Sequence, residues 1–171
     1  MTEYTSRYTT TPDKVHATLD KYGVAVIPNI LNEDELKSIR TGMWDILEHI
    51  TSEHPTPIKR DETKTWRTFY DLMPMHSMLI QHHSIGHTQP IWDIRQNQKV
   101  VDVFAHLHET KQDQLLVSFD GCSIHLPPEI TGKGWYRKSW YHTDQSYLRN
   151  DFECAQGFIT AYDVNDKDYP L

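Results

Sequence analysis

The spacing of apolar residues changes period along this chain, and that change limits the folds open to it more than any other feature. Up to about residue 110 the regular segments read as helices. In 13–22, Val15 and Leu19 lie four apart on one face, and Gly23 sits where a left-handed helix terminus belongs. Asn32 precedes Glu33, Asp34 and Glu35, the pattern of a capping box with a negative first turn. Leu36, Ile39, Met43, Ile46 and Ile50 then recur at helical spacing and predict a helix running to about Ile50. Segment 97–108 repeats the pattern, with Val100, Val101, Phe104 and Leu107 on its buried face. Between the first two helices, 24–27 reads as a short buried strand ended by Pro28. From residue 115 the apolar residues come instead in short extended runs, 115–119, 122–126, 135–147 and 152–164, separated by turns. Helices first and strands later predict an α+β, mainly β organisation: one domain over 1–171, helical in 1–110 and mainly β in 111–171.

Composition narrows the function. The 171 residues are 37% hydrophobic and carry a formal charge of −7, with a mean hydropathy of −0.66. That balance argues against nucleic acid as a partner, because phosphate binding needs clustered Lys and Arg. No apolar run approaches a membrane span. The first 13 residues lack a basic start followed by an apolar core, so the expected location is the cytoplasm. Lys133, Arg137 and Lys138 form one basic cluster, either a solvated loop or an attractor for an anionic substrate. The two cysteines, Cys122 and Cys154, both stand in apolar runs and read as small core residues. Two thiols exclude a closed all-cysteine zinc site.

Segment 52–96 is punctuated by Pro55, Pro57, Pro74 and Pro90 and holds His76, His82, His83 and His87. His83 and His87 have the i, i+4 spacing of a helical metal grip, but Gly86 and Pro90 oppose a helix there, so polar packing or a surface position is expected. The chemistry concentrates in Trp140-Tyr141-His142-Thr143-Asp144-Gln145-Ser146-Tyr147. On a strand, residues two apart project from one face, so the His142 imidazole and Asp144 carboxylate point into one space. A 2-His-1-carboxylate site for non-haem Fe(II) is built on such a pair plus a second histidine. No histidine follows His142. An acid–base pair in a hydrolase is a weaker reading of the same two residues, since no nucleophile-elbow glycine pattern accompanies them.

Several segments, in order, resemble the phytanoyl-CoA dioxygenase-like family of Fe(II)/2-oxoglutarate-dependent oxygenases. They are Tyr22-Gly23-Val24-Ala25-Val26-Ile27-Pro28, Asn32-Glu33-Asp34-Glu35-Leu36, Ile91-Trp92-Asp93-Ile94-Arg95-Gln96-Asn97, Leu116-Val117-Ser118-Phe119-Asp120-Gly121, His125-Leu126-Pro127-Pro128-Glu129 and the His142 segment. The resemblance implies N-terminal helices packed on a double-stranded β-helix, the jelly-roll or cupin-like barrel. It implies Fe(II) held by His142 and Asp144, 2-oxoglutarate as co-substrate, and hydroxylation of a small organic substrate. Trp140 and Gln145 are the candidate co-substrate contacts. Trp135, Tyr136, Trp140, Tyr141 and Tyr147 are candidate pocket walls, with Arg95 a further polar contact. An intact Asp144 favours hydroxylation, because related halogenases carry a small residue there.

The chain departs from the family pattern at three points. The distal histidine and the arginine that follows it have no counterpart before Leu171, and Leu126 stands where many members carry a lysine for 2-oxoglutarate. The expectation is therefore a partial barrel lacking its C-terminal strands, completed by a second chain or an oligomer. The alternative is a catalytically inactive truncated fragment, or a binding or assembly module with the same half-fold.

Overall fold

The structure is a computed structural model and describes residues 6–133, 142, 144–149 and 151–164. A single 3₁₀ turn, Pro12–Lys14, leads into α1, Val15–Tyr22. Gly23 ends α1 in the left-handed region at φ +71°, its N–H donating to the Leu19 carbonyl at 2.7 Å. Helix α2 spans Glu33–Ile50. Its capping box is complete: the Glu35 N–H donates to Asn32 Oδ1 (2.9 Å) and the Asn32 N–H to Glu35 Oε2 (2.7 Å). Local chemistry was sufficient to place these two helices.

The prediction for 24–27 needs correction. Val26 exchanges backbone hydrogen bonds with Tyr8 and Thr10 in a single parallel bridge, and both Val24 and Val26 are exposed. An apolar run this short has the conformation of a strand without a second layer to cover it.

A 3₁₀ helix, Thr63–Leu72, dominates the proline-rich middle. Ten residues is long for this geometry, whose hydrogen bonds are strained relative to an α-helix. Buried threonines hold it and the preceding loop. Thr51 accepts from the Ile58 N–H (3.0 Å) and donates to the Leu47 carbonyl (2.7 Å). Thr65 accepts from the Lys59 N–H (2.9 Å), and Thr68 donates to the Thr56 carbonyl (2.8 Å). Each bond removes the cost of a buried polar group that an irregular chain would otherwise carry.

Two further helices follow, α3 over Gln89–Arg95 and α4 over Gln98–Leu107. Gly42 of α2 permits a close approach to α3, since a Cβ there would lie 2.2 Å from Pro90 Cγ. Asn97 caps α4 by accepting from the Lys99 N–H (3.0 Å). Its side-chain amide donates to Glu35 Oε1 (2.8 Å), which ties the start of α4 to the start of α2. On α4 only Leu107 is fully buried; Val100, Val101 and Phe104 are half-buried.

The core gathers Ile46 and Leu47 of α2, Ile58, Phe69 and Tyr70 of the 3₁₀ region, and Ile80, Ile85 and Leu126. Strand β1, Leu79–Ile80, pairs antiparallel with β2, Cys122–Ser123, so Ile80 faces Cys122. Gly121 fits beneath that ladder; a Cβ would meet the Ile80 carbonyl oxygen at 2.2 Å. A short helix, α5, Pro128–Thr131, follows.

Among the described residues of 111–164, β2 alone joins a ladder, so the extended runs 115–119 and 152–164 carry no strand pairing there. Leu116 is 100% exposed, and Val117 and Phe119 are exposed as well. Run 135–147 falls largely on residues outside the described set. Segment 152–164 instead lies over the helices. The Phe152 ring stacks between His16 of α1 (5.9 Å) and His108 (5.1 Å). Gly157 abuts Phe104 of α4, where a Cβ would stand 3.0 Å from Cζ. Arg40 of α2 donates to the Ala161 carbonyl (2.9 Å) and covers the Tyr162 ring. Among the described residues no helix is long and apolar enough to cross a membrane.

Candidate functional site

The backbone leading to the His142 segment is anchored on the 3₁₀ helix. The Tyr70 hydroxyl donates to the Lys133 carbonyl (3.2 Å), and Lys133 Nζ lies 4.5 Å above the Tyr70 ring. Arg67 reaches the Thr131 carbonyl at 3.5 Å. Lys133 therefore has an aromatic face as its neighbour, a packing role that competes with attracting a substrate anion. Arg137 and Lys138 lie outside the described residues.

His142 and Asp144 come together. Nε2 of the imidazole stands 3.1 Å from Oδ1 of the carboxylate, with the side chains 48% and 57% exposed. Two ligands each about 2.1 Å from one metal, at right angles to each other, would be about 3.0 Å apart. The same separation is that of a direct ion pair between the two side chains, which is the contact the structure contains. Among the described residues no group of three His, Cys, Asp or Glu side chains is placed to hold a metal.

Gln145 is half-buried while His142, Asp144, Ser146, Tyr147, Leu148 and Arg149 are exposed. Its amide nitrogen donates to the carbonyls of Arg149 (2.7 Å) and Asp151 (2.8 Å). Its oxygen accepts from Cys154 Sγ at 3.4 Å. Trp140, like Trp135, Tyr136 and Tyr141, lies outside the described residues. Tyr147 is 87% exposed and walls no pocket among them. Arg95 turns inward to the fold: it donates to the Gly86 carbonyl and to that of Asp120 (3.3 Å), and it covers Phe119.

The histidines of the middle segment pack as expected for polar side chains. His82 Nε2 lies 2.7 Å from the Leu72 carbonyl oxygen, and the His87 ring stacks on Phe119 at 4.7 Å. Only Ile85–His87 forms a 3₁₀ turn there, so the i, i+4 spacing of His83 and His87 does not become a helical pair. His125 sits 3.0 Å from the Ser123 hydroxyl, and burial lowers its pKa. Asp120 is held ionised by the Gln81 amide (2.8 Å) and the Gly121 N–H.

Both cysteines are free thiols. Cys122 conforms to the packing expectation, and burial pushes its thiol up to about 12. Cys154 does not: it is exposed and bonded to Gln145. Sequence reasoning missed the Gln145–Cys154 contact and the stacking of Phe152. The first had a signal in the polar residue adjoining the motif. The second had none, because His16 and His108 meet Phe152 only through the tertiary fold.

No family model matches the chain, and no solved structure matches it. A stretch of 78 residues, 46% of the chain, is 36% identical to Ava biosynthesis cluster protein O of Aspergillus versicolor, and it spans 24% of that protein's length.

Proposed function

We propose that this chain is an Fe(II)/2-oxoglutarate-dependent oxygenase of the phytanoyl-CoA dioxygenase-like kind, acting on a small organic molecule in the cytoplasm. The observation that carries this reading is the 3.1 Å separation of His142 Nε2 and Asp144 Oδ1, which suits two adjacent ligands of one metal. The order of family-like segments along the sequence supports it. Iron and 2-oxoglutarate, if bound, would let O2 act as the oxidant, one oxygen atom going to the succinate formed with CO2 from the co-substrate and the other to the hydroxylated substrate.

The chain's own groups have defined tasks on this reading. His142 offers the unprotonated Nε2 as a donor, and Asp144 offers Oδ1 while its carboxylate balances the metal's charge. Tyr70 and Arg67 hold the backbone at residues 131–133. The double-stranded β-helix, and a second chain or an oligomer as partner, belong to this proposal.

Anaerobic titration with Fe(II) and 2-oxoglutarate tests the reading. A weak visible charge-transfer band is expected, and Asp144→Ala should abolish it while leaving the melting temperature unchanged, since that side chain is largely exposed. A chain that binds no iron favours the second reading, an inactive binding or assembly module. The exposed Leu116, Val117 and Phe119 favour that reading too, since apolar patches of this kind mark contact surfaces.

A further inference from the structure

We propose that run 115–119 is a docking edge for a second copy of this chain, the two runs pairing antiparallel about a two-fold axis at Val117. The proposal stands apart from the iron reading and uses no part of the His142–Asp144 site. Residues 115–120 contain no helix, turn or bend, and Leu115 is extended at φ −79°, ψ 143°. Among the described residues the backbone of 116–119 has no hydrogen-bond partner. Both of its edges are therefore open to another strand. Its side chains are uncovered as well: Leu116 is wholly exposed, Val117 57% and Phe119 56%.

The run is anchored at both ends. Before it, the Leu115 N–H donates to the Gln112 carbonyl (3.2 Å) and closes the turn Gln112–Gln114. At its far end the Phe119 ring stacks on His87 (4.7 Å) and meets the Trp92 edge (5.3 Å), while Arg95 donates to the Asp120 carbonyl (3.3 Å). An edge already held in this way loses little further freedom on pairing. Charge then selects the occupant and its direction. Residues 114–119 carry no charge, and Asp113 and Asp120 flank them. In a parallel, in-register pair each aspartate would stand beside its own copy, and like charges directly opposite one another destabilise a sheet. The antiparallel pair about Val117 removes that conflict: Asp113 falls opposite Gly121, and Asp120 opposite Gln114. Leu115 falls opposite Phe119, so Leu115, Val117 and Phe119 of both copies share one apolar face. A contact confined to this run is smaller than a stable interface needs, so the dimer is weak and concentration-dependent.

The test is sedimentation velocity of the full chain over a concentration series. The wild type should move from monomer toward dimer as concentration rises, and amide exchange within 115–119 should slow in step. Val117→Lys and Val117→Glu each bring two like charges together at the axis, so each alone should weaken association at least about tenfold. An equimolar mixture of the two should restore association, because lysine then meets glutamate. Val117 is exposed, so both variants should melt at the wild-type temperature. A wild-type chain that stays monomeric at every concentration overturns the proposal and leaves the run to a different partner. Unchanged association in Val117→Lys overturns it too, as does a mixture that stays monomeric. None of these outcomes bears on the Fe(II) titration.

Discussion

Leu47 and Leu116 stand in equally apolar stretches and meet opposite fates. Leu47 of α2 is 1% exposed, whereas Leu116 is 100% exposed. The difference lies in what each conformation needs. A helix closes its own backbone hydrogen bonds within four residues and has to find cover only for one stripe of side chains. An extended run closes none of them and depends on neighbouring strands for both backbone and side-chain partners. The helical region is self-sufficient at the local level; run 115–119 is a conformation awaiting a partner.

Core substitutions probe the first half of that contrast most severely. Phe69 is fully buried in the central cluster, so Phe69→Ala should cost about 3–5 kcal/mol in urea unfolding. A loss below about 1 kcal/mol would mean that the cluster is not the folding core. Gly42→Ala comes next. Its new methyl would press on the Pro90 ring, and overpacking of this kind costs about 1–3 kcal/mol. Thermal unfolding measures the cost: a lowered melting temperature shows crowding between α2 and α3, because substituting an uncrowded helical glycine by alanine stabilises.

Smaller effects test the ends of the helices. Lys99, then the Asn32 backbone and Asn97 hold the Glu35 carboxyl down to about 2, against an ordinary 4.5. A depressed folded-state pKa adds stability above about pH 4.5 that disappears as pH falls toward 2. Glu35→Gln should therefore flatten the acid limb of the melting temperature between those pH values. An unchanged acid limb would place the acid sensitivity elsewhere. Leu116→Ser is expected to be the mildest of all, within about 0.5 kcal/mol of wild type, because a fully exposed side chain has no folded contacts to lose. Its value is in sedimentation: if 115–119 is a contact surface, the serine variant should associate less at high concentration. A cost comparable to that of Phe69→Ala would erase the distinction between the two regions.

Much of the helical half was legible in advance. Asn32, Glu35, Gly23 and Asn97 announce their elements through bonds to residues two to four positions away. The 3₁₀ helix Thr63–Leu72 was not legible, because its support comes from threonine hydroxyls that reach across a proline-rich loop. Runs 115–119 and 152–164, read as strands, join no ladder among the described residues, since apolar content does not report the presence of a neighbour. At the candidate site, His142 and Asp144 were expected to share a face of a strand; Asp144 instead lies in a bend, and the two side chains meet as an ion pair. The contact of Gln145 with Cys154 was not legible, because it depends on the turn between them.

The order of amino acids by itself determined the caps and the extents of the capped helices, because each depends on groups within a few bonds of one another along the chain. Only the tertiary structure decided which apolar residues became core, which remained uncovered, and how Phe152 and Arg40 lay the final segment over the helices. Those outcomes depend on surfaces brought together from distant parts of the chain, where loop-closure entropy and packing compete and local propensity has no influence.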